Sequence, residues 1–177
     1  MDEIERTLVS FMTKERLLHT KAVKNIAFEI SSDYNIDDRK LELASLLHDI
    51  AKDIPKEEME KYIEKYGIVL DEIEKKEKGL WHGIIGAYIV EEKFKIKDPE
   101  ILEAIKFHST GKPNMNLISK LLYIADYIET CPDDKIIEEA KENIDLALKK
   151  VVKKKIEYVL SKGCLLHPRS IELWNNI

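Results

Sequence analysis

The chain has 177 residues, of which 44% are hydrophobic and 36% are charged, and its net charge is −5. This length and apolar content predict a single domain over residues 1–177, and no run of 18 apolar residues is present to suggest a transmembrane helix. The acidic balance argues against a nucleic-acid partner. The acidic N-terminus lacks the features of a signal peptide, so a cytoplasmic location is expected. The two cysteines are expected to be reduced.

Apolar residues recur at helical spacing along almost the whole chain, and strand signals are nearly absent. Thr13 is a candidate N-cap, Pro55 suits a first helical turn, and Gly67 and Gly163 are candidate helix ends. We therefore predict an all-α bundle with short connections. Helices are predicted over residues 2–11, 13–31, 37–54, 55–67, 71–77, 79–94, 98–108, 116–130, 134–161 (with room for a kink) and from Pro168 onward.

The segment STGKPN after His108 is predicted to be a loop. The lysine-rich run KKVVKKK, residues 149–155, is flanked by acidic residues on both sides. We interpret it as a solvated helix face rather than a nucleic-acid patch.

Four of the five histidines lie on the apolar faces of four predicted helices. His19, His48, His82 and His108 each have apolar residues three or four positions away, and Asp126 lies on an apolar face as well. Each residue alone has an ordinary explanation as a satisfied core residue. Together they would be costly, because an unpartnered buried polar group costs about 1–3 kcal/mol. Convergence on divalent cations removes that cost, so the pattern favours a metal centre.

The order of these residues resembles the HD-domain phosphohydrolases, and more narrowly their YqeK type, the bacterial symmetrical diadenosine tetraphosphate hydrolases. The similarity extends over nearly the whole chain. The segments that carry it are RLLHT (16–20), LLHDIAKD (46–53), LWHGIIGA (80–87), FHSTGKPNMN (107–116), YIADYIE (123–129) and LHPRSIELWN (166–175). One segment departs from the family pattern, in which the segment after the last aspartate continues with a proline and a basic residue. Here Glu129 is followed by Thr130, Cys131, Pro132, Asp133 and Asp134.

The resemblance implies a metal centre of defined composition. His19, His48, Asp49 and Asp126 would hold one divalent cation, with iron expected from the family and manganese or zinc also suited to these donors. His82 and His108 would face a second metal position or the substrate phosphates. A metal lowers the pKa of bound water from 15.7 toward about 7, which gives a nucleophile suited to a phosphoanhydride. Asp49 is therefore also a candidate catalytic residue.

Further residues are candidates for contacting a nucleotide. Lys52 follows Asp49 by three positions and can face a phosphate as a catalytic cation, with a surface lysine as the alternative. Arg16 precedes His19 by one turn. A helix N-terminus at Pro168 can bind an anion. The full predicted nucleotide-binding set is Arg16, Lys52, Ser109, Thr110, His167, Arg169, Ser170 and Ile171.

The resemblance implies symmetrical hydrolysis of diadenosine tetraphosphate into two ADP, with ADP inhibiting as a product. The departure after Glu129 keeps a second reading open, in which an HD-type nucleotidase or phosphatase acts on another nucleotide. A third reading is a non-catalytic module that binds a metal or a nucleotide. We expect a small-molecule partner and no membrane or nucleic-acid partner, with a homodimer left open.

Overall fold

The computed structural model describes residues 7–177, and this part of the chain forms ten complete α-helices and one 3-10 turn without any strand. The predicted all-α class is confirmed. Residues 2–6 of the predicted helix over residues 2–11 lie outside the described residues, while residues 7–8 are helical and residues 9–11 form a turn. The helices are α1 (Lys14–Ile30), α2 (Asp38–Leu47), α3 (Lys56–Tyr66), α4 (Glu72–Lys76), α5 (Trp81–Phe94), α6 (Pro99–Phe107), α7 (Leu117–Thr130), α8 (Asp134–Glu142), α9 (Ile144–Ser161) and α10 (Pro168–Asn176), with the 3-10 turn at Lys78–Leu80.

Most helix boundaries follow from capping residues visible in the sequence. The Thr13 side chain accepts a hydrogen bond from the Arg16 amide at the start of α1, as an N-cap does. Gly67 ends α3 with φ of 60°, and Gly163 follows α9 with φ of 67°, a backbone conformation that favours glycine. These predicted boundaries are confirmed.

Two predicted helices differ from the structure. The helix expected to run through residue 54 ends at Leu47, and His48 is its C-cap. Backbone bonds beyond it span three residues, as from the Lys52 amide to the Asp49 carbonyl at 2.9 Å, so this stretch is a series of turns. The predicted helix over 134–161 is divided at Asn143. Its backbone is extended, with φ of −150°, and its side chain caps α9.

The helices pack around one continuous hydrophobic core. Helix α7 lies near its centre and contacts α1, α2, α6 and α9. Leu121 and Ile124 on α7 are fully buried, and burial of each such side chain stabilises the fold by about 1.5–3 kcal/mol. Within residues 7–177, no helix is long and apolar enough to cross a membrane.

Helices α5 and α6 approach each other closely at Gly83. A Cβ at this position would lie 2.9 Å from the Lys106 carbonyl oxygen and 3.1 Å from that of Ile105. Because these are backbone atoms, they have little freedom to move aside. The missing side chain therefore allows α5 and α6 to bring His82 and His108 together.

Candidate metal centre

Four histidines and two aspartates converge at one end of the bundle. His19 comes from α1, His48 and His108 are the C-caps of α2 and α6, and His82 lies in the first turn of α5. The exposed fractions of His48, His82 and His108 are 0%, 2% and 3%, as their apolar faces predicted. Asp49 follows α2, and Asp126 lies on α7.

Four donor atoms of this cluster surround a common point. The Nε2 atom of His19 lies 3.7 Å from Asp49 Oδ2 and 3.5 Å from Asp126 Oδ1. The Nε2 atom of His48 lies 3.7 Å from each of the same two oxygens. Donors that each bind one transition-metal ion at about 2.0–2.2 Å are separated by distances of this size. The structure thus brings together the four residues predicted to hold the first cation.

Every histidine of the cluster directs Nε2 inward, because its Nδ1 atom is held by an oxygen acceptor on the outside. Carbonyl and carboxylate oxygens can only accept, so Nδ1 carries the proton and Nε2 is free to bind a cation. The four bonds run from His19 to Glu129 Oε2 (2.6 Å), from His48 to the Ser45 carbonyl (2.8 Å), from His82 to the Gly79 carbonyl (2.6 Å) and from His108 to the Ile105 carbonyl (2.8 Å).

Two buried polar atoms in the centre lack a hydrogen bond. Among the described residues, none hydrogen-bonds to His48 Nε2 or to Asp49 Oδ1. Native proteins rarely leave such atoms without a partner, because each one costs about 1–3 kcal/mol. A cation at the centre of the donor set would satisfy His48 Nε2, and a second cation beside Asp49 Oδ1 would satisfy that oxygen. The imidazole and carboxylate donors therefore fit a divalent transition metal.

His82 and His108 form a second group around the other oxygen of Asp49. Their Nε2 atoms lie 3.3 and 3.4 Å from Asp49 Oδ1 and 2.9 Å from each other. Since both Nδ1 atoms carry protons, two neutral rings would present lone pairs to each other at this distance. A second cation or a proton between them would remove that repulsion. That these two residues face a second metal or a phosphate stays a prediction.

The electrostatics of the centre keep the carboxylates ionised and the imidazoles of His48 and His82 neutral. Burial lowers the pKa of His48 and of His82 to about 4. Burial opposes ionisation of Asp126, but the Lys155 ammonium and the His19 ring outweigh it and hold the pKa of that carboxyl well below its usual range. Burial likewise opposes ionisation of Asp49, and the histidines around it depress the pKa strongly. Near pH 7, these protonation states are those that bind a metal.

A cavity of about 440 Å³ opens over the centre, and several predicted residues line it. Arg16 donates a hydrogen bond to Asp49 Oδ2 at 2.7 Å. The Lys52 ammonium and the Ser109 hydroxyl each lie 3.3 Å from His82 Nε2. The predicted cations and hydroxyl thus reach the cavity, where an anionic substrate would meet them.

Two residues of the centre were missed by sequence reasoning. Lys155 lies within the lysine run interpreted as a solvated face, yet its ammonium is 3.3 Å from Asp126 Oδ2 and lines the cavity. The earlier interpretation is wrong for this residue, because α9 packs against α7. Its spacing from the buried Val151 and Val152 was the available signal. Glu129, which orients His19, follows Asp126 by three residues and so shares its helix face.

The remaining predicted nucleotide-binding residues make other contacts. The buried Thr110 hydroxyl donates to the Gly111 carbonyl, and Ile171 is 44% exposed. The imidazole of His167 lies 2.8 Å from Asp71 Oδ2, and its Nδ1 accepts the Arg169 amide hydrogen. Arg169 donates to Glu74 Oε1, and Ser170 donates to the Thr110 carbonyl. None of these five predicted residues lines the cavity over the centre.

Comparison with known proteins identifies the family of the chain that carries this centre. Residues 16–131 match the HD domain family. Two proteins named symmetrical bis(5'-nucleosyl)-tetraphosphatase are similar to the chain. The one from Bacillus subtilis is 33% identical, covering 93% of this chain and 90% of the relative. The one from Staphylococcus aureus is 29% identical, covering 99% and 93%.

A solved structure agrees with the sequence relatives. It comes from Clostridium acetobutylicum and is described as a predicted HD superfamily hydrolase involved in NAD metabolism. It superposes with a TM-score of 0.91 at 34% identity, covering 99% of this chain and 95% of that chain. Because residues 16–131, which include the histidine and aspartate cluster from His19 to Asp126, match the family model, the chain belongs to the HD domain family.

Proposed function

We propose that this protein hydrolyses diadenosine tetraphosphate symmetrically into two ADP, in a reaction that depends on a divalent metal. The observation that carries the proposal is the convergence of His19, His48, Asp49 and Asp126 below an open cavity lined by cations. The similarity over most of the chain to relatives named for this activity supports the choice of substrate. We take residues 1–177 to act as one domain, and a cytoplasmic location remains a prediction.

The donor set assigns a role to each group in the centre. His19, His48, Asp49 and Asp126 would hold the first cation, with iron as the metal expected from the family. When bound, such a cation supplies Lewis-acid chemistry and makes water a better nucleophile near pH 7. Arg16 orients Asp49 through its 2.7 Å hydrogen bond, and Glu129 fixes the His19 ring.

The phosphates of the substrate are proposed to lie in the cavity over His82 and His108. Lys52 approaches the same place and would neutralise charge that grows on the leaving phosphate. The Ser109 hydroxyl lies 3.2 Å from His108 Nε2, so it can turn toward a phosphate oxygen as a donor. The segment from His167 to Ile171 is retained as a proposed contact for one nucleoside on the family resemblance alone.

The decisive experiment is metal analysis of freshly purified protein together with a product assay on diadenosine tetraphosphate. We expect bound iron and ADP as the only nucleotide product. Release of AMP with ATP would contradict the symmetrical cut. Absence of turnover in every reducible metal form would favour a binding module over an enzyme.

A second candidate function is hydrolysis of another nucleotide by the same centre. The observation that favours it is Thr130, which lines the cavity where the family resemblance implied a nearby basic residue. A panel of nucleoside mono-, di- and triphosphates assayed beside diadenosine tetraphosphate distinguishes the two. A higher kcat/KM for a member of that panel would favour the second candidate.

A further inference from the structure

A second cavity of about 290 Å³ adjoins the metal centre between the C-terminal part of α7 and α9. We call it the α7–α9 groove. It shares Asp126, Thr130, Lys155 and Tyr158 with the cavity over the metal centre, so the two spaces are continuous. The residues that belong to the groove alone are Tyr127, Cys131 and Lys154.

A symmetrical cut places one half of the substrate on each side of the scissile bond. The cavity over the metal has the volume of one small-ligand pocket, since such pockets measure about 300–1,000 Å³. The second half must therefore occupy a neighbouring space. The groove lies at the lower end of that range, which suits one nucleoside with a phosphate rather than a whole dinucleotide.

Charge distinguishes the groove from the other space beside the centre. A cleft of about 420 Å³ on the α1 side is lined by Glu15 and Glu129 as well as by Arg16. Two carboxylates would repel a phosphate chain there. The groove instead offers Lys154 and Lys155 together with two tyrosines, a combination of cations and aromatic faces that suits a nucleotide.

Lys155 stands at the junction between the two spaces. Its ammonium donates to the His108 carbonyl at 3.1 Å and to Asp126 Oδ2 at 3.3 Å, and it lies 3.9 Å from the centre of the Tyr123 ring. An ammonium has three donors, so one remains for a ligand. A divalent cation on Asp126 would balance that carboxylate and leave the positive charge of Lys155 for a phosphate.

Tyr158 provides the exposed aromatic surface of the groove. Its side chain is 63% exposed although its ring is large and apolar. The Lys162 ammonium lies 5.4 Å from the ring centre. Bases stack on such rings in proteins that bind single-stranded nucleic acids, irrespective of base identity.

Building on the proposed activity, we propose that the α7–α9 groove binds the second half of the substrate, which consists of the other adenosine and its phosphates. In this arrangement the Tyr158 ring stacks against the base, and Lys155 contacts the phosphates that leave the metal centre. Lys154, whose ammonium lies 3.8 Å from Asp133 Oδ2, stands at the outer wall. The groove would thereby distinguish a dinucleoside polyphosphate from a mononucleotide.

The test compares diadenosine tetraphosphate with adenosine 5'-tetraphosphate, which lacks the second nucleoside. For Tyr158→Ala, we expect KM for the dinucleotide to rise about tenfold, since that is the effect of losing one base stack, while KM for the mononucleotide stays unchanged. Tyr158→Phe should restore the wild-type KM, because stacking needs the ring and not the hydroxyl. Lys155→Met should reduce kcat/KM for both substrates, because each carries the phosphates that Lys155 contacts.

The controls lie on the same helix and line neither the groove nor the cavity over the metal centre. Leu160→Ala removes a side chain that is 59% exposed, and Lys153→Met removes one charge of the lysine run, and both should keep wild-type KM values. Equal KM changes for both substrates in Tyr158→Ala would overturn the proposal. Equilibrium dialysis with ADP provides a second readout, in which wild-type protein should show an additional binding equivalent that Tyr158→Ala loses. If wild-type protein fails to hydrolyse the dinucleotide, the proposed function is wrong, and the dialysis result alone decides the groove.

Discussion

The two oxygens of the Asp49 carboxylate serve two different groups of partners. Oδ2 faces Arg16 and two of the imidazoles, and Oδ1 faces the pair formed by His82 and His108. A residue in this position connects the first metal site with the place where a second metal or a phosphate would bind. Its removal should therefore affect both.

We predict that Asp49→Ala abolishes turnover and removes the bound metal while helix content stays largely intact. The reason is that one of the two carboxylate ligands is lost from the donor set, and two neutral imidazoles with the single carboxylate of Asp126 bind a divalent cation more weakly. Elemental analysis, circular dichroism and the product assay measure the three quantities. Asp53→Asn is a matched control, because Asp53 also contacts Arg16 but none of the histidines. Full metal content in Asp49→Ala would show that the ligand assignment is wrong.

We predict that His82→Ala and His108→Ala each reduce the hydrolysis rate sharply while the more tightly held cation stays bound. Both rings lie against Asp49 Oδ1, whereas the first-site imidazoles lie against Asp49 Oδ2. Metal content per chain and kcat, measured on the same preparations, separate the two effects. Loss of all metal in either variant would place these histidines among the first-site ligands.

At the scale of single residues, the sequence predicted the histidines and aspartates but not all of their neighbours. The apolar faces around His48 and His82 made burial predictable, because helical spacing determines which residues share a face. Lys155 escaped prediction because its role depends on α9 lying against α7. A sequence does not show which helices become neighbours.

At the scale of elements, the contact between α5 and α6 depends on Gly83. We predict that Gly83→Ala lowers both thermal stability and activity, because its Cβ would meet the Lys106 carbonyl oxygen and push the helices apart. Overpacking of this kind costs about 1–3 kcal/mol. For thermal stability, Gly79→Ala is the matched control, because nothing lies within 4 Å of the Cβ that it adds. A Gly83→Ala protein with the wild-type melting temperature and rate would contradict this account.

The helix that ends at His108 begins at a charged N-cap. Asp98 Oδ1 accepts hydrogen bonds from the Glu100 and Ile101 amides, and Lys40 lies 2.9 Å from Oδ2. The hydrogen bond from Lys40 lowers the pKa of Asp98, with burial opposing it. A carboxyl with a depressed folded-state pKa stabilises the fold above its unfolded pKa, near 3.9, and the contribution disappears as pH falls through the folded value.

We predict that Asp98→Ala reduces the free energy of unfolding by about 1 kcal/mol at pH 7, the usual worth of an N-cap. The difference between the variant and the wild-type protein should shrink as the pH falls below about 4. Denaturant unfolding at a series of pH values measures this difference. If the difference in unfolding free energy stayed constant down to the lowest pH, the negative charge of Asp98 would contribute nothing to stability.

Helix boundaries were predictable where a cap or glycine marks them and not where tertiary packing decides. Thr13, Gly67 and Gly163 gave correct ends. The end of α2 at His48 lacks such a residue, and apolar spacing continues through Ile50 and Ala51, which are both fully buried. The turns there direct Asp49 toward the histidines. The spacing of apolar residues gives no sign of these turns, because it continues unchanged through them. Asn143 caps α9, but only a kink was predicted within 134–161, because helical spacing continues on both sides of this residue.

At the scale of the whole molecule, the metal centre is assembled from distant parts of the chain. His19 bonds to Glu129 across 110 positions, and Lys155 belongs to a helix beyond the residues that match the family. Closing such separations costs chain entropy before the contacts form. The centre can therefore form only when most of the core is in place. The order of motifs along the chain predicted this convergence, but only the structure shows the distances.

The C-terminal helix makes the metal centre dependent on a distant part of the surface. Gly111 has φ of +65°, Leu173 fills the space where its Cβ would stand, and Ser170 holds the Thr110 carbonyl at 2.8 Å. The loop after His108 is thus clamped from outside by α10. The turn that leads to α10, residues 162–165, is exposed and suits cleavage by a protease. Cleavage in this turn would leave all the predicted metal ligands in one fragment, but α10 would no longer be covalently held against the loop after His108. Because linkage works in both directions, saturation with metal should slow proteolysis at a turn that never touches the ion.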